Sequence, residues 1–127
     1  RSEKTTSGEI RVFVESKNPM VDPLDRAAAI FFKLKMERTD HRNAVLLYIA
    51  MKHHELALFG DEGIHKAVGT EYWNSEVKQM LEYFKQEHFV DGIVQCVHHV
   101  GDTLTAKFPY IPKEDKNELP DDIVFGK

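Results

Sequence analysis

The tetrapeptide Gly60–Asp61–Glu62–Gly63 sets two carboxylates between two glycines, where an apolar run ends and a helical pattern begins. Helix N-termini expose unpaired N–H groups and a partial positive charge, so acids at such a junction act as caps. The same oxygens suit a hard cation, because Ca²⁺ and Mg²⁺ take oxygen ligands and little nitrogen. Asp40 and Asn43, just ahead of the apolar run Ala44–Met51, add two more oxygen-bearing side chains, and Asp91 before Gly92 either caps the last helix or adds another carboxylate. The expected metal set is therefore Asp61, Glu62, Asp40, Asn43 and Asp91, for Ca²⁺ or Mg²⁺. Plain capping by Asp61 and Glu62 stands beside it. The spacing does not follow the EF-hand loop.

Other chemistries find little support. The histidines include two adjacent pairs, His53–His54 and His98–His99, whose members point different ways on a helix or strand, and no His-Glu-x-x-His motif occurs. His41 is the exception to watch, because it adjoins Asp40. Cys96 is followed by no phosphatase-type arginine and reads as a buried, inert thiol. Neither a phosphate-binding Gly-x-x-x-x-Gly-Lys loop nor a Gly-x-Ser-x-Gly elbow is present.

These side chains meet only if the elements carrying them are suitably arranged. Gly8–Ser16 reads as a strand with Ile10, Val12 and Val14 on one face and Phe13 on the other. Asp22 and Pro23 open a helix whose apolar positions are Leu24, Ala27, Ala28, Phe31 and Leu34. The run beginning at Ala44 is apolar on both faces, as a buried central strand requires, and a turn near Lys52–Glu55 returns the chain as a third strand. A short helix follows. A longer one is expected to bury Trp73, Val77, Met80, Leu81 and Phe84, and a last one Val90, Ile93, Val94, Val97, Leu104 and Phe108. If the second strand runs antiparallel to the third, Thr39–Asn43 faces Gly60–Gly63. A first strand parallel to the third would bring Glu15, Asp22 and Asp25 to the same edge, and open α/β sheets carry ligands at strand ends.

This order predicts an α/β layered domain around a small mixed sheet. At 127 residues the chain fits one domain, with residues 109–127, rich in proline and acids, an extended surface tail. The net charge of −4 argues against nucleic acid as a partner. The longest apolar run is far too short to cross a bilayer. With no signal sequence ahead of it, a cytoplasmic protein is expected; a trimmed periplasmic or membrane-tethered one is the alternative. A single cysteine allows no internal disulfide.

From Thr6 to Pro109 the ordered set "TSGEIRVFVES", "RAAAIFFKL", "RNAVLLYIA", "LFGDEGI", "EYWNSEV" and "FVDGIVQCVHHVGDTLTAKFP" resembles the TPM domain family, closest to a stand-alone bacterial branch. The resemblance implies a three-layer α/β/α sandwich holding a divalent cation, usually calcium, among acids in a cleft. It matches the family's glycine-bounded segment to Gly60–Gly63, its "NG" to Asn43–Ala44 and its "D-x-x-G" to Asp91–Gly92. Ala44 replaces the usual glycine, and an acid expected beyond Gly63 is missing near Gly69–Thr70. Plant members are linked to weak acid phosphatase activity and photosystem repair. The readings that follow are a cation-binding domain, a metal-dependent acid phosphatase and a protein-interaction or assembly module. For the phosphatase, His41 and Arg42 are the nearby candidates for base and cationic clamp.

Overall fold

The computed structural model describes residues 6–109 and 123–125. Strand β1 (Glu9–Glu15) leads into helix α1 (Pro23–Lys33), and the chain returns as β2 (Ala44–Ala50). A tight turn gives β3 (Glu55–Gly60), followed by α2 (Glu62–Val68), α3 (Thr70–Lys85), α4 (Phe89–Lys107) and a short β4 (Ile123–Phe125). The sheet order is β3-β2-β1-β4. β1 is parallel to β2 and to β4, whereas β2 and β3 form an antiparallel pair.

Every residue of β2 is buried, which explains its unbroken apolar run. Its alternate side chains serve two cores. Val45, Leu47 and Ile49 meet Ile64, Trp73, Met80, Cys96 and Leu104 from α2, α3 and α4. Leu46, Tyr48 and Ala50 meet Ala27, Ile30 and Phe31 of α1. The result is a three-layer α/β/α sandwich, and the expected alternation of β1 holds, with Ile10, Val12 and Val14 on the first core and Phe13 on the second. α1 starts as its sequence requires: the Asp22 carboxylate accepts the Leu24 N–H at 2.8 Å, with Pro23 in the first turn.

The helices bury narrower stripes than their sequences suggest. Leu81, Val90 and Val94 are exposed, contrary to expectation, because one row of each helix meets the sheet. On α4 that row is Gly92, Cys96, Val100 and Leu104, and on α3 it is Trp73, Glu76, Met80 and Phe84. Cys96 is the inert thiol expected, its pKa pushed up to about 12 by burial and by the nearby Glu76 carboxylate. The tail expected from Pro109 falls mostly outside the described residues, but Ile123–Phe125 pair with Val12–Val14 as a strand that hydropathy patterning did not indicate.

At the far end of β1 the buried Glu15 carboxylate is gripped by Arg26, at 2.9 Å from Nε and 3.0 Å from Nη2, and accepts the Tyr48 hydroxyl. Burial raises the Glu15 pKa, but hydrogen bonds from Arg26 and Tyr48 and the Arg26 charge outweigh it and hold the carboxyl below its ordinary value. A lowered folded pKa contributes stability that is complete above the ordinary value of 4.5 and lost as pH falls through the folded value. Glu15→Gln is therefore expected to cost stability at neutral pH and to flatten the acid limb of the stability profile. Urea unfolding at a series of pH values checks this; an unchanged acid limb would refute it.

Candidate functional site

The loop before β2 is held to the start of α2 by its own backbone. The Arg42 carbonyl accepts the N–H groups of Gly63 at 2.8 Å and Ile64 at 3.3 Å, satisfying donors that a helix start leaves unpaired. To aim that carbonyl, Arg42 adopts a left-handed backbone with φ of 51°, uncommon for a residue with a side chain. Its guanidinium then forks onto Asp61, Nε to Oδ2 at 2.6 Å and Nη2 to Oδ1 at 2.8 Å. Asp61 is 3% exposed, and its Oδ1 also takes the Glu62 N–H at 2.8 Å as the N-cap of α2. The hydrogen bond to Asp61 raises the Arg42 pKa further above its ordinary value, so the guanidinium stays charged.

Gly63 is required by this closure. A Cβ there would lie 2.0 Å from the His41 carbonyl oxygen and 2.7 Å from that of Arg42, both backbone atoms that cannot step aside. Gly60 has a different reason: the Trp73 ring lies over it, 2.3 Å from where a Cβ would stand. Trp73 in turn donates its indole N–H to His65 Nδ1 at 3.1 Å.

The expected metal residues are only partly gathered. Asp61 and Glu62 lie together, but Glu62 is 61% exposed, with Oε1 3.7 Å from Arg42 Nη1. Asp40 is exposed on the loop. Asn43 is fully buried and its amide turns away to Ser7 Oγ at 3.1 Å, leaving Oδ1 without a hydrogen-bond partner among the described residues. Asp91 is exposed at the start of α4, where Gly92 packs on Tyr83; ten residues of α3, about 15 Å at helical rise, separate that end from Trp73. Glu15, Asp22 and Asp25 belong to the opposite end of the sheet, because β1 is parallel to β2 and so opposed to β3. Seven residues of strand put about 20 Å between the two ends. Held this way, the oxygens do not fit a hard cation: both oxygens of Asp61 are engaged, and among the described residues no three His, Cys, Asp or Glu side chains gather as a metal group. His41 is exposed, its ring 6.1 Å from that of Phe108, and Arg42 is committed to Asp61.

A second feature escaped the reading of the sequence. A groove of ≈ 490 Å³ runs along the free edge of β3, walled by Leu24 at the start of α1 and by Trp73 and Val77 on α3. Trp73 is buried core as expected and also forms one wall, whereas Leu24, expected on the inner stripe of α1, is exposed. The signal available was β3 itself, an apolar strand followed directly by three helices.

Gly63→Ala is expected to destabilise the fold by about 3 kcal/mol or more, since backbone must shift. Asp61→Ala should cost about 1–2 kcal/mol from the lost cap alone. Gly101→Ala, where a Cβ meets open space inside α4, should instead stabilise by about 1 kcal/mol. Thermal and urea denaturation of the three variants tests the ordering.

The TPM domain model matches residues 1–103. No curated protein matches this chain. Among solved structures, the NMR structure of the BA42 protein from the psychrophilic bacterium Bizionia argentinensis is similar over 97% of this chain and 83% of that one, at 36% identity and a TM-score of 0.85. No described helix is long and apolar enough to cross a membrane. The family match, spanning most of the chain, and the likeness to BA42 together make this protein a member of the TPM domain family.

Proposed function

We propose that this TPM domain acts as an interaction module, taking its partner in the groove along β3. The observation that carries this reading is the groove itself: ≈ 490 Å³ of space at an open sheet edge, walled by large apolar side chains. Ligand sites are typically concave, mostly apolar and provided with a few polar groups, here His65, Asn74 and the β3 backbone. The Asp61 carboxylate, neutralised by Arg42, serves as a latch for the scaffold. Leu24→Glu sets a charge on the groove wall at a position that is 48% exposed, so the fold should tolerate it. Partners captured from a cell extract are expected to be lost with Leu24→Glu and kept in the presence of chelator. Partners that survive Leu24→Glu but are lost when the segment after Pro109 is removed would assign contact to the tail and overturn the groove.

A second reading, a divalent cation bound at Asp61 and Glu62, draws on the unpartnered Oδ1 of Asn43 and on Arg42, which is 37% exposed and able to swing away. Any acid phosphatase activity would depend on that ion. An amide ¹⁵N titration of the metal-stripped domain with Ca²⁺, then Mg²⁺, separates the readings. Saturable shifts at Asn43 and Gly60–Gly63 support the ion; an unmoved spectrum is expected if Arg42 keeps Asp61.

A further inference from the structure

We infer that the groove receives an extended peptide, which joins β3 as an added strand and carries a Lys or Arg at the end nearest Asp22. This rests on the groove-binding reading and names the partner's chemistry. The Asp61 N–H donates to the Ala44 carbonyl at 2.9 Å, so by antiparallel alternation Phe59, Ala57 and Glu55 also face β2. The main-chain groups of Leu56, Leu58 and Gly60 must then point away from the sheet. Among the described residues no strand lies beyond β3 and no backbone bond outside the sheet reaches those three. Donors and acceptors repeated at every second residue match only another extended backbone.

Proteins usually guard such an edge with lysine, proline, a bulge, brevity or a covering helix or loop. β4, at the other edge, spans three residues, but β3 spans six, reads Glu-Leu-Ala-Leu-Phe-Gly and holds no lysine or proline. An apolar edge without lysine or proline, flanked by α1 and α3 and bounded by a shaped groove, suits a strand-forming partner. Leu24 on one wall and Trp73 with Val77 on the other would receive the peptide's alternate side chains.

Charge sets the partner's polarity along the groove. Among the described residues Asp22 is the only Asp, Glu, Lys or Arg lining it, and Asp25 lies exposed one turn further on α1. The loop before α1 is tied to the start of β3, Asn18 donating to His53 Nδ1 at 3.2 Å and to Glu55 Oε1 at 2.9 Å. Asp22 therefore belongs to the Leu56 end, while Trp73 covers Gly60 at the other. Among the described residues that line the groove, the complement of a basic side chain stands at the Leu56 end.

The test uses the full ¹⁵N-labelled chain and the peptide acetyl-Lys-Val-Thr-Val-Thr-Val-amide, together with copies N-methylated at alternate residues. Saturable shifts and slowed hydrogen exchange at the amides of Leu56, Leu58 and Gly60 are expected. One alternate set of N-methyl groups should abolish binding and the other spare it. Asp22→Asn, which still caps α1, should weaken binding about threefold, and replacing the peptide lysine by norleucine should erase that difference. Shifts confined to the Trp73 indole N–H and the amides of Leu24 and Val77, indifferent to N-methylation, would overturn the added strand while leaving a groove ligand in place. Concentration-dependent shifts at β3 without peptide would name a second copy as the occupant and overturn the peptide. Peptide failure alongside Leu24-dependent partner capture removes this inference alone; capture indifferent to Leu24 removes the underlying reading as well.

Discussion

The forked ion pair between Arg42 and Asp61 closes the end of the sheet on which the rest of the site is built. Its guanidinium satisfies a carboxylate that is almost wholly buried, while the Arg42 carbonyl satisfies the first free N–H groups of α2. One residue thus answers two costs of the same junction, an unpaired buried charge and an uncapped helix. The left-handed backbone at Arg42 persists because both bonds hold it. With the junction fixed, β3 ends at Gly60, the chain turns at Asp61, and α2 delivers His65 to the Trp73 indole. Trp73 can then lie over Gly60 and form one wall of the groove.

The opposite end of the sheet uses the same device. Glu15 is buried where β1 stops, and Arg26 grips it with two prongs, as Arg42 grips Asp61. Each of these two buried carboxylates therefore carries its own guanidinium, reached from a neighbouring loop or helix. Between them β2 runs with every side chain buried, so its apolar run separates the two ionic ends. In that arrangement both acids are held by the fold, and among the described residues no strand lies beyond β3. The pattern is intelligible energetically: paired and hydrogen-bonded, a buried charge is tolerated, whereas one robbed of its partner is costly.

Much of this was legible in the residues. Alternation in β1, the unbroken apolar run of β2, and the Asp22–Pro23 helix start each follow from local rules, and each is present. Asp61 was readable as a cap, and the resemblance to TPM domains supplied the layering. Topology was harder, because parallel pairing of β1 with β2 depends on how a crossover helix packs; that pairing sends Glu15, Asp22 and Asp25 to the far end. The partner of Asp61 was hidden for a similar reason. Arg42 was read as a clamp for a substrate phosphate, since nothing in its spacing tells that a left-handed turn aims it back at residue 61. Leu81, Val90 and Val94 mark the limit of helical periodicity, which gives an apolar arc but not which row of it meets the sheet. The groove depends on three separate elements and was invisible to any single one.

The most direct measurement is a double-mutant cycle on the latch, comparing Arg42→Met, Asp61→Asn and the double variant by urea unfolding at neutral pH. If Asp61 is the counter-ion of Arg42, the double variant loses clearly less stability than the sum of the two single losses, because removing either partner already breaks the pair. Losses that simply add would mean that the two side chains act independently. In that case Asp61 would not owe its burial to Arg42, and the account of this junction as a structural latch would fail.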